Sequence, residues 1–230
     1  MGAGGKSSAI LQVVHELKEA GTPVLVTPTT KMFVREAEGV GSILISEDRE
    51  ELHSKAAEVL AREGAAVAGS TILSKGRVGG VEASWVPALA SPSGVTLVEA
   101  DGARRRPLKG TAPHEPLLPE GATLVVVVGG MRALGKPVDE EYVHRPGVFS
   151  ELTGTSQGHT IDARIFARSL LAGLRTTPEG ARRAALLTYA EPGRRMSDAS
   201  VVAHILWRKG LRQVILSSLP TEMPGRIWMP

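Results

Sequence analysis

The chain contains no cysteine. Disulfides, thiolate zinc sites and cysteine-held iron–sulfur clusters are thereby excluded, and no cysteine persulfide or perselenide can form on it. Any sulfur or selenium transfer involving this protein is carried on another molecule. Aromatic residues are scarce too, 3% of 230, too few to stack successive bases along a nucleic-acid groove. Charge of one sign is not in large excess: 27 basic against 24 acidic residues give a net charge of +3. The densest basic run is Arg104-Arg105-Arg106, so the sequence predicts no nucleic-acid partner. No apolar run approaches the roughly 20 residues a membrane-spanning helix needs. The opening MGAGGKSS lacks the basic segment and apolar stretch of a secretory signal. These absences predict a cytoplasmic protein without a membrane partner.

What is present is ordinary globular material, 42% hydrophobic and 22% charged. Ile10, Val13, Val14 and Leu17 recur at helical spacing over residues 6–20, with Gly21 as a stop. Strands are predicted at 23–27, 43–45, 95–98, 123–128, 184–189 and 214–216 from their compact apolar runs. Ser46 is expected to cap a helix with Glu47 and Asp48 in its first turn, running to Arg62 and ending at Gly64. Residues 65–81 read as a hairpin or irregular strands, and the proline-rich 102–121 as a loop. Further helices are expected over 161–172 and from a Ser197 cap to about Lys209. Continuous apolar strands separated by helices predict a three-layer α/β sandwich with a mostly parallel sheet, in one domain spanning residues 1–230.

Gly4-Gly5-Lys6-Ser7-Ser8 leads straight into the first helix. Glycines allow backbone N–H groups to converge on a phosphate, and the helix start adds donors and a positive dipole end. In such a loop Lys6 neutralises phosphate and the Ser7 hydroxyl ligates Mg²⁺. The full phosphate-loop pattern requires an earlier glycine and a preceding strand, and that first strand is missing from the sequence as read. A plain N-terminal tail ahead of a helix is the competing reading.

The strand at 95–98 runs into Glu99-Ala100-Asp101. Carboxylates at the C-terminal end of a parallel strand lie where open α/β sheets bind ligands. Asp101 would hold Mg²⁺ and Glu99 would orient a nucleophile. The alternative is a pair of solvated carboxylates at an Asp-Gly turn. Thr29 and Thr30 follow another strand and would contact phosphate or metal, or end a strand. Lys109 and Arg104–Arg106 would clamp an acidic substrate group or form a solvated loop face. His15, His53, His159 and His204 have no metal-ligand spacing.

GAGGKSS, VLVTPTTKM (24–32), VEADGARRRPLKGTAPHEPLLP (98–119) and VVGGMRALGKPVDEEYVHRPGVF (127–149) together resemble the YqeC family, over nearly the whole chain. The resemblance implies a P-loop NTPase-like fold and an accessory role in maturing selenium-dependent molybdenum hydroxylases. It places the phosphate loop on Gly4, Gly5, Lys6, Ser7 and Ser8, and the threonine stretch on Thr27, Thr29 and Thr30. Pro28 and Lys31 depart from the family's run of threonines and histidine. Its remaining blocks fall on Glu99–Gly102, Pro107–Lys109, His114-Glu115-Pro116 and His144-Arg145. Near the C-terminus Thr188-Tyr-Ala-Glu191 replaces an Asn-x-x-Asp-like segment, which gives GTP no support. The expected cofactors are Mg²⁺ and ATP, with GTP possible. Lys6, Glu99 and Asp101 are the catalytic candidates; Lys109, His114, Glu115, His144 and Arg145 are the substrate-binding candidates. The expected activity is that of an NTPase or phosphotransferase, whose partners would be a molybdenum hydroxylase or its cofactor-processing proteins. Two alternatives stand beside it, a non-catalytic nucleotide-gated chaperone and a kinase acting on a pterin-like metabolite.

Overall fold

Val24, Leu25 and Val26 are all fully buried, which an extended segment achieves only when both of its faces are covered. In the computed structural model, which describes residues 1–90, 92–219 and 225–230, that condition is met. In chain order the elements are α1 (Lys6–Glu19), β1 (Val24–Pro28), β2 (Lys31–Phe33), α2 (Val34–Glu38), β3 (Ser42–Ile45), α3 (Arg49–Glu63) and β4 (Ala65–Gly69). There follow β5 (Ile72–Leu73), β6 (Arg77–Gly79), α4 (Val86–Leu89), β7 (Val95–Glu99), β8 (Leu108–Lys109), β9 (Leu124–Gly130) and β10 (Val143–His144). The chain closes with α5 (Pro146–Thr153), α6 (Ala163–Gly173), β11 (Arg182–Thr188), α7 (Arg194–Arg208), β12 (Gln213–Leu216) and β13 (Arg226–Ile227). The residues cluster into two compact units.

One unit holds Ser7–Gly102 and Leu117–Gly121. Its sheet has the order β3-β4-β1-β7, all parallel. The strand alternation sorts its core into two layers. Leu25, Ala66, Ala68 and Leu44 pack with Leu52, Ala56, Val59 and Leu60 of α3 and with Val86 and Leu89 of α4. On the opposite face Val24, Val26, Ala65 and Val67 pack with Ile10, Val14 and Leu17 of α1 and Ala37 of α2. Helices on both faces of a parallel sheet make this unit a three-layer α/β structure.

The other unit holds Met1–Lys6, Ala103–Pro116 and Ala122–Pro230. Its sheet has the order β13-β12-β11-β9, parallel except for the short antiparallel β13. The N-terminal residues extend it. Val128 N donates to Met1 O at 2.9 Å and Ala3 N to Val128 O at 2.9 Å, a parallel bridge beside β9. Among the described residues no strand precedes α1, and Met1–Ala3 make only this isolated bridge, which ties the glycine loop to β9. A two-stranded parallel pair, β8 with β10, sits in the same unit.

Four local expectations are corrected. Asp48, not Ser46, caps α3: its carboxylate accepts from Glu51 N at 2.8 Å, while Ser46 Oγ accepts from Asp48 N at 3.0 Å and donates to the Glu51 carboxylate. Residues 65–69 form the fully buried strand β4, and only β5 and β6 make the expected hairpin. Helix α7 starts at Arg194 after Gly193, so Ser197 lies within its first turns rather than capping it. The 102–121 loop is interrupted by β8.

Candidate functional site

The loop Gly2–Lys6 is built by its glycines. Gly2, Gly4 and Gly5 have φ of +91°, +81° and +111°, conformations that side chains rarely adopt. Gly4 is also hemmed in: a Cβ there would lie 2.6 Å from Gly130 N and 2.8 Å from Pro107 O. Gly130 N donates to that same Pro107 carbonyl at 2.9 Å, tying β9 to the segment leading into β8. Thr188, fully buried at the end of β11, donates its hydroxyl to Gly4 O. Lys6 folds back over the loop and donates from Nζ to Gly2 O at 2.7 Å, so its ammonium is held at the loop and is buried. Helix α1 has no acidic residue in its first turn to offset the positive end of its dipole. The sequence singled out Gly4, Gly5 and Lys6; Thr188 as their clasp was missed, and its signal is its place at the C-terminal end of a parallel strand. Ser7 and Ser8 are half-buried in the first turn of α1.

In the unit that carries Ser7, Glu99 ends β7 and Asp101 follows two residues later, both carboxylates buried, Asp101 fully. Thr29 is fixed by backbone on both sides. Its N–H donates to Glu99 O at 3.1 Å and its hydroxyl to Leu117 O at 2.8 Å. Thr27 donates to Ala68 O at 2.9 Å and so ties β1 to β4. The Thr30 hydroxyl is buried and makes no hydrogen bond among the described residues. Ser7 and Asp101 carry a hydroxyl and a carboxylate, the kinds of hard oxygen donor that Mg²⁺ prefers. Among the described residues no group of three or more Asp, Glu or His side chains could hold a metal by itself.

The substrate-binding candidates divide. Lys109, Glu115, His144 and Arg145 come together, while His114 is exposed at the surface. Glu115 accepts from Lys109 Nζ at 2.6 Å and from the Arg145 guanidinium at 2.8 and 3.3 Å. The Lys109 side chain is 2% exposed and that of Glu115 11%. Strand pairing places His144 beside Lys109. Burial pushes the Glu115 carboxyl upward, but the hydrogen bonds from Arg145 and Lys109 outweigh it and hold it below the usual carboxylate range. Burial, then the charges of Arg145, Lys109 and Arg104, pull the His144 imidazole down to about 4, so it is neutral at physiological pH. Arg104 and Arg105 are exposed with left-handed backbones.

These features define an α/β protein with mostly parallel sheets, carrying a glycine-lysine loop at a helix start and a charged side-chain cluster. A family model described as YqeC protein matches residues 1–147. The chain is also 31% identical over 189 residues to the YqeC protein of Escherichia coli (strain K12), an alignment covering 80% of this chain and 72% of that one. The chain belongs to the YqeC family. No solved structure matches it. Among the described residues no helix is long and apolar enough to cross a membrane.

Proposed function

We propose that this chain binds a Mg²⁺–nucleotide, ATP ahead of GTP, as a P-loop protein and uses it as an NTPase or phosphotransferase. The observation that carries this reading is the Gly2–Lys6 loop, where three left-handed glycines and a folded-back lysine ammonium sit at the start of a helix with no acidic first turn. Adjacent N–H groups in such a backbone turn toward one side and form an anion-binding concavity. A phosphate entering there exchanges the Gly2 carbonyl for a stronger, charge-assisted partner of Lys6. Ser7 and Asp101 are the residues that would hold Mg²⁺, which supplies charge neutralisation on the phosphates when bound. Glu99 would orient the attacking hydroxyl or water, and Thr29 and Thr30 would line the phosphate side. The link to selenium-dependent molybdenum hydroxylases, and to cofactor-processing partners, is proposed from the family resemblance alone.

Calorimetric titration of Mg-ATP and Mg-GTP tests the reading. The wild-type chain is expected to bind one of them saturably, and Lys6→Ala to weaken it roughly 100-fold, the effect of removing one member of a desolvated charge pair. Undiminished binding by Lys6→Ala sinks the phosphate-loop assignment. Binding with measurable phosphate release supports an NTPase, and tight binding without release a nucleotide-gated module.

A further inference from the structure

The unit that holds Ser7–Gly102 carries a second, smaller sheet, β2-β6-β5, whose outward face the candidate site does not use. Its strands are antiparallel. Their register sets Phe33, Arg77 and Leu73 in one cross-strand row, with Lys31 two residues before Phe33 on β2. Strand alternation puts Met32 and Val78 on the other face, where they are 2% and 0% exposed and join the core. The face with Lys31, Phe33 and Arg77 is therefore the outward one. Two guanidiniums stand on the Phe33 ring, Arg77 with its Cζ 4.9 Å from the ring centroid and Arg35 at 5.6 Å. Val34 N donates to Gly76 O at 3.0 Å, which holds the β5–β6 turn and its Lys75 against the start of α2. Lys31, Arg35 and Lys75 are exposed and Arg77 is half-buried. Among the described residues none of these four cations makes an ion pair, although Glu36 and Glu38 lie on the adjoining α2. The Arg77 Nε is buried and has no hydrogen-bond partner among them either.

We propose that this face docks an acidic segment of a partner protein, one presenting several carboxylates within a few residues. Four cations without a paired carboxylate are the charge complement of such a segment. Gathered on one small sheet and its flanking helix, they repel one another until anions join them. A guanidinium stacked on an aromatic ring has its plane held while its edge donors stay available, and a carboxylate takes those two at a time. The unmade Arg77 Nε–H is a standing cost, which an arriving carboxylate removes when the side chain turns to meet it. Nucleic acid fits this face less well. Phe33 is the sole aromatic residue of the three strands, and a ring that already carries two guanidiniums is a poor platform for stacking bases. The sheet grows from the C-terminal end of β1, since β2 begins directly after Thr29 and Thr30. Gly80, just past β6, packs against the same two residues: a Cβ there would lie 2.5 Å from Thr29 C. A docked partner would thus border the threonine stretch, but the docking itself does not require a nucleotide.

The test uses the full chain and a fluorescein-labelled oligoglutamate peptide, read by fluorescence anisotropy at low salt. The oligoglutamine counterpart and a labelled oligouridylate are titrated in parallel. Saturable binding of oligoglutamate is expected, with none of oligoglutamine and weaker binding of oligouridylate. Combining Arg35→Gln with Arg77→Gln is expected to weaken oligoglutamate binding at least about 10-fold. Arg182→Gln with Arg183→Gln removes the same charge from exposed positions on β11, in the other unit, and is expected to change it less than about 2-fold. If the Arg35 and Arg77 double variant fails to fold, Lys31→Gln with Lys75→Gln takes its place, with a loss of about 5-fold expected. Three results overturn the proposal. One is the absence of saturable oligoglutamate binding. Another is an equal loss in the sheet and β11 variants, which means diffuse charge attraction or binding elsewhere, as at the glycine loop. The third is tighter binding of oligouridylate that the sheet variants abolish, which makes the face a nucleic-acid surface.

Discussion

The glycine loop and the Glu115 cluster are two different ways of holding charge. The loop is five consecutive residues whose backbone does the work, with a single ammonium folded onto it. The cluster is side-chain chemistry assembled from Lys109, Glu115 and Arg145, the last separated from Glu115 by 30 residues. A backbone site tolerates almost no added atoms and fails abruptly. A side-chain site degrades by steps, because each partner can be removed while the others remain. That contrast sets the order of the expected effects.

Gly4→Ala has the largest. The new Cβ meets Gly130 N and Pro107 O below 3 Å, and φ at +81° is already strained for alanine. A loss of about 3 kcal/mol is expected in denaturant unfolding, with nucleotide binding lost as well. Lys109→Met comes next, since it leaves the enclosed Glu115 carboxylate with one cation in place of two. About 2 kcal/mol is expected, less than for a fully orphaned charge because Arg145 stays. If instead Lys109→Met costs more than Gly4→Ala, the comparison is reversed and the cluster is the rigid element.

Acid sharpens the contrast. The unfolded chain protonates His144 near the ordinary value of 6.5, the folded one only near 4, so the unfolded state binds more protons between those values. Stability therefore falls as pH drops from about 6.5 to about 4. Glu115, held low by Arg145 and Lys109 against its burial, adds a loss of the same sign in more acidic solution. His144→Gln is expected to flatten the first part of the decline in pH-dependent thermal melts, and an unchanged slope assigns it to other groups. Thr188→Val has the smallest effect. Removing the hydroxyl that clasps Gly4 is expected to cost about 1 kcal/mol and to loosen the loop, seen as faster amide exchange at Gly4 and Gly5.

Where the information was local, the sequence could be read. Helical spacing from Ile10 to Leu17 and the apolar runs of β1, β7, β9 and β12 gave their elements within a residue or two, and the glycine loop stood out by composition. Strand β4 was harder: Ala65-Ala-Val-Ala-Gly69 has almost no β-branched character, and it is a strand because β1 and β3 flank it, not because of its own propensity. Helix α5 was hidden because Pro146-Gly147 resembles a turn, although proline at the first helical position is favourable. The Glu115 cluster was named as separate candidates. Its assembly depends on the two-residue pair of β8 with β10, too short to announce itself by periodicity.

The path of the backbone carries a consequence for how the chain folds and is cut. It passes between the two compact units four times, after Lys6, Gly102, Pro116 and Gly121. Each unit is thus a composite of separated stretches of sequence. A protease that nicks one crossing leaves three covalent ties, so neither unit is released by a single cleavage. Nor does either correspond to one contiguous coding segment that could be moved between genes. The first crossing falls inside α1, next to the lysine of the glycine loop, so that the residue proposed to meet phosphate also marks where the chain leaves one unit for the other.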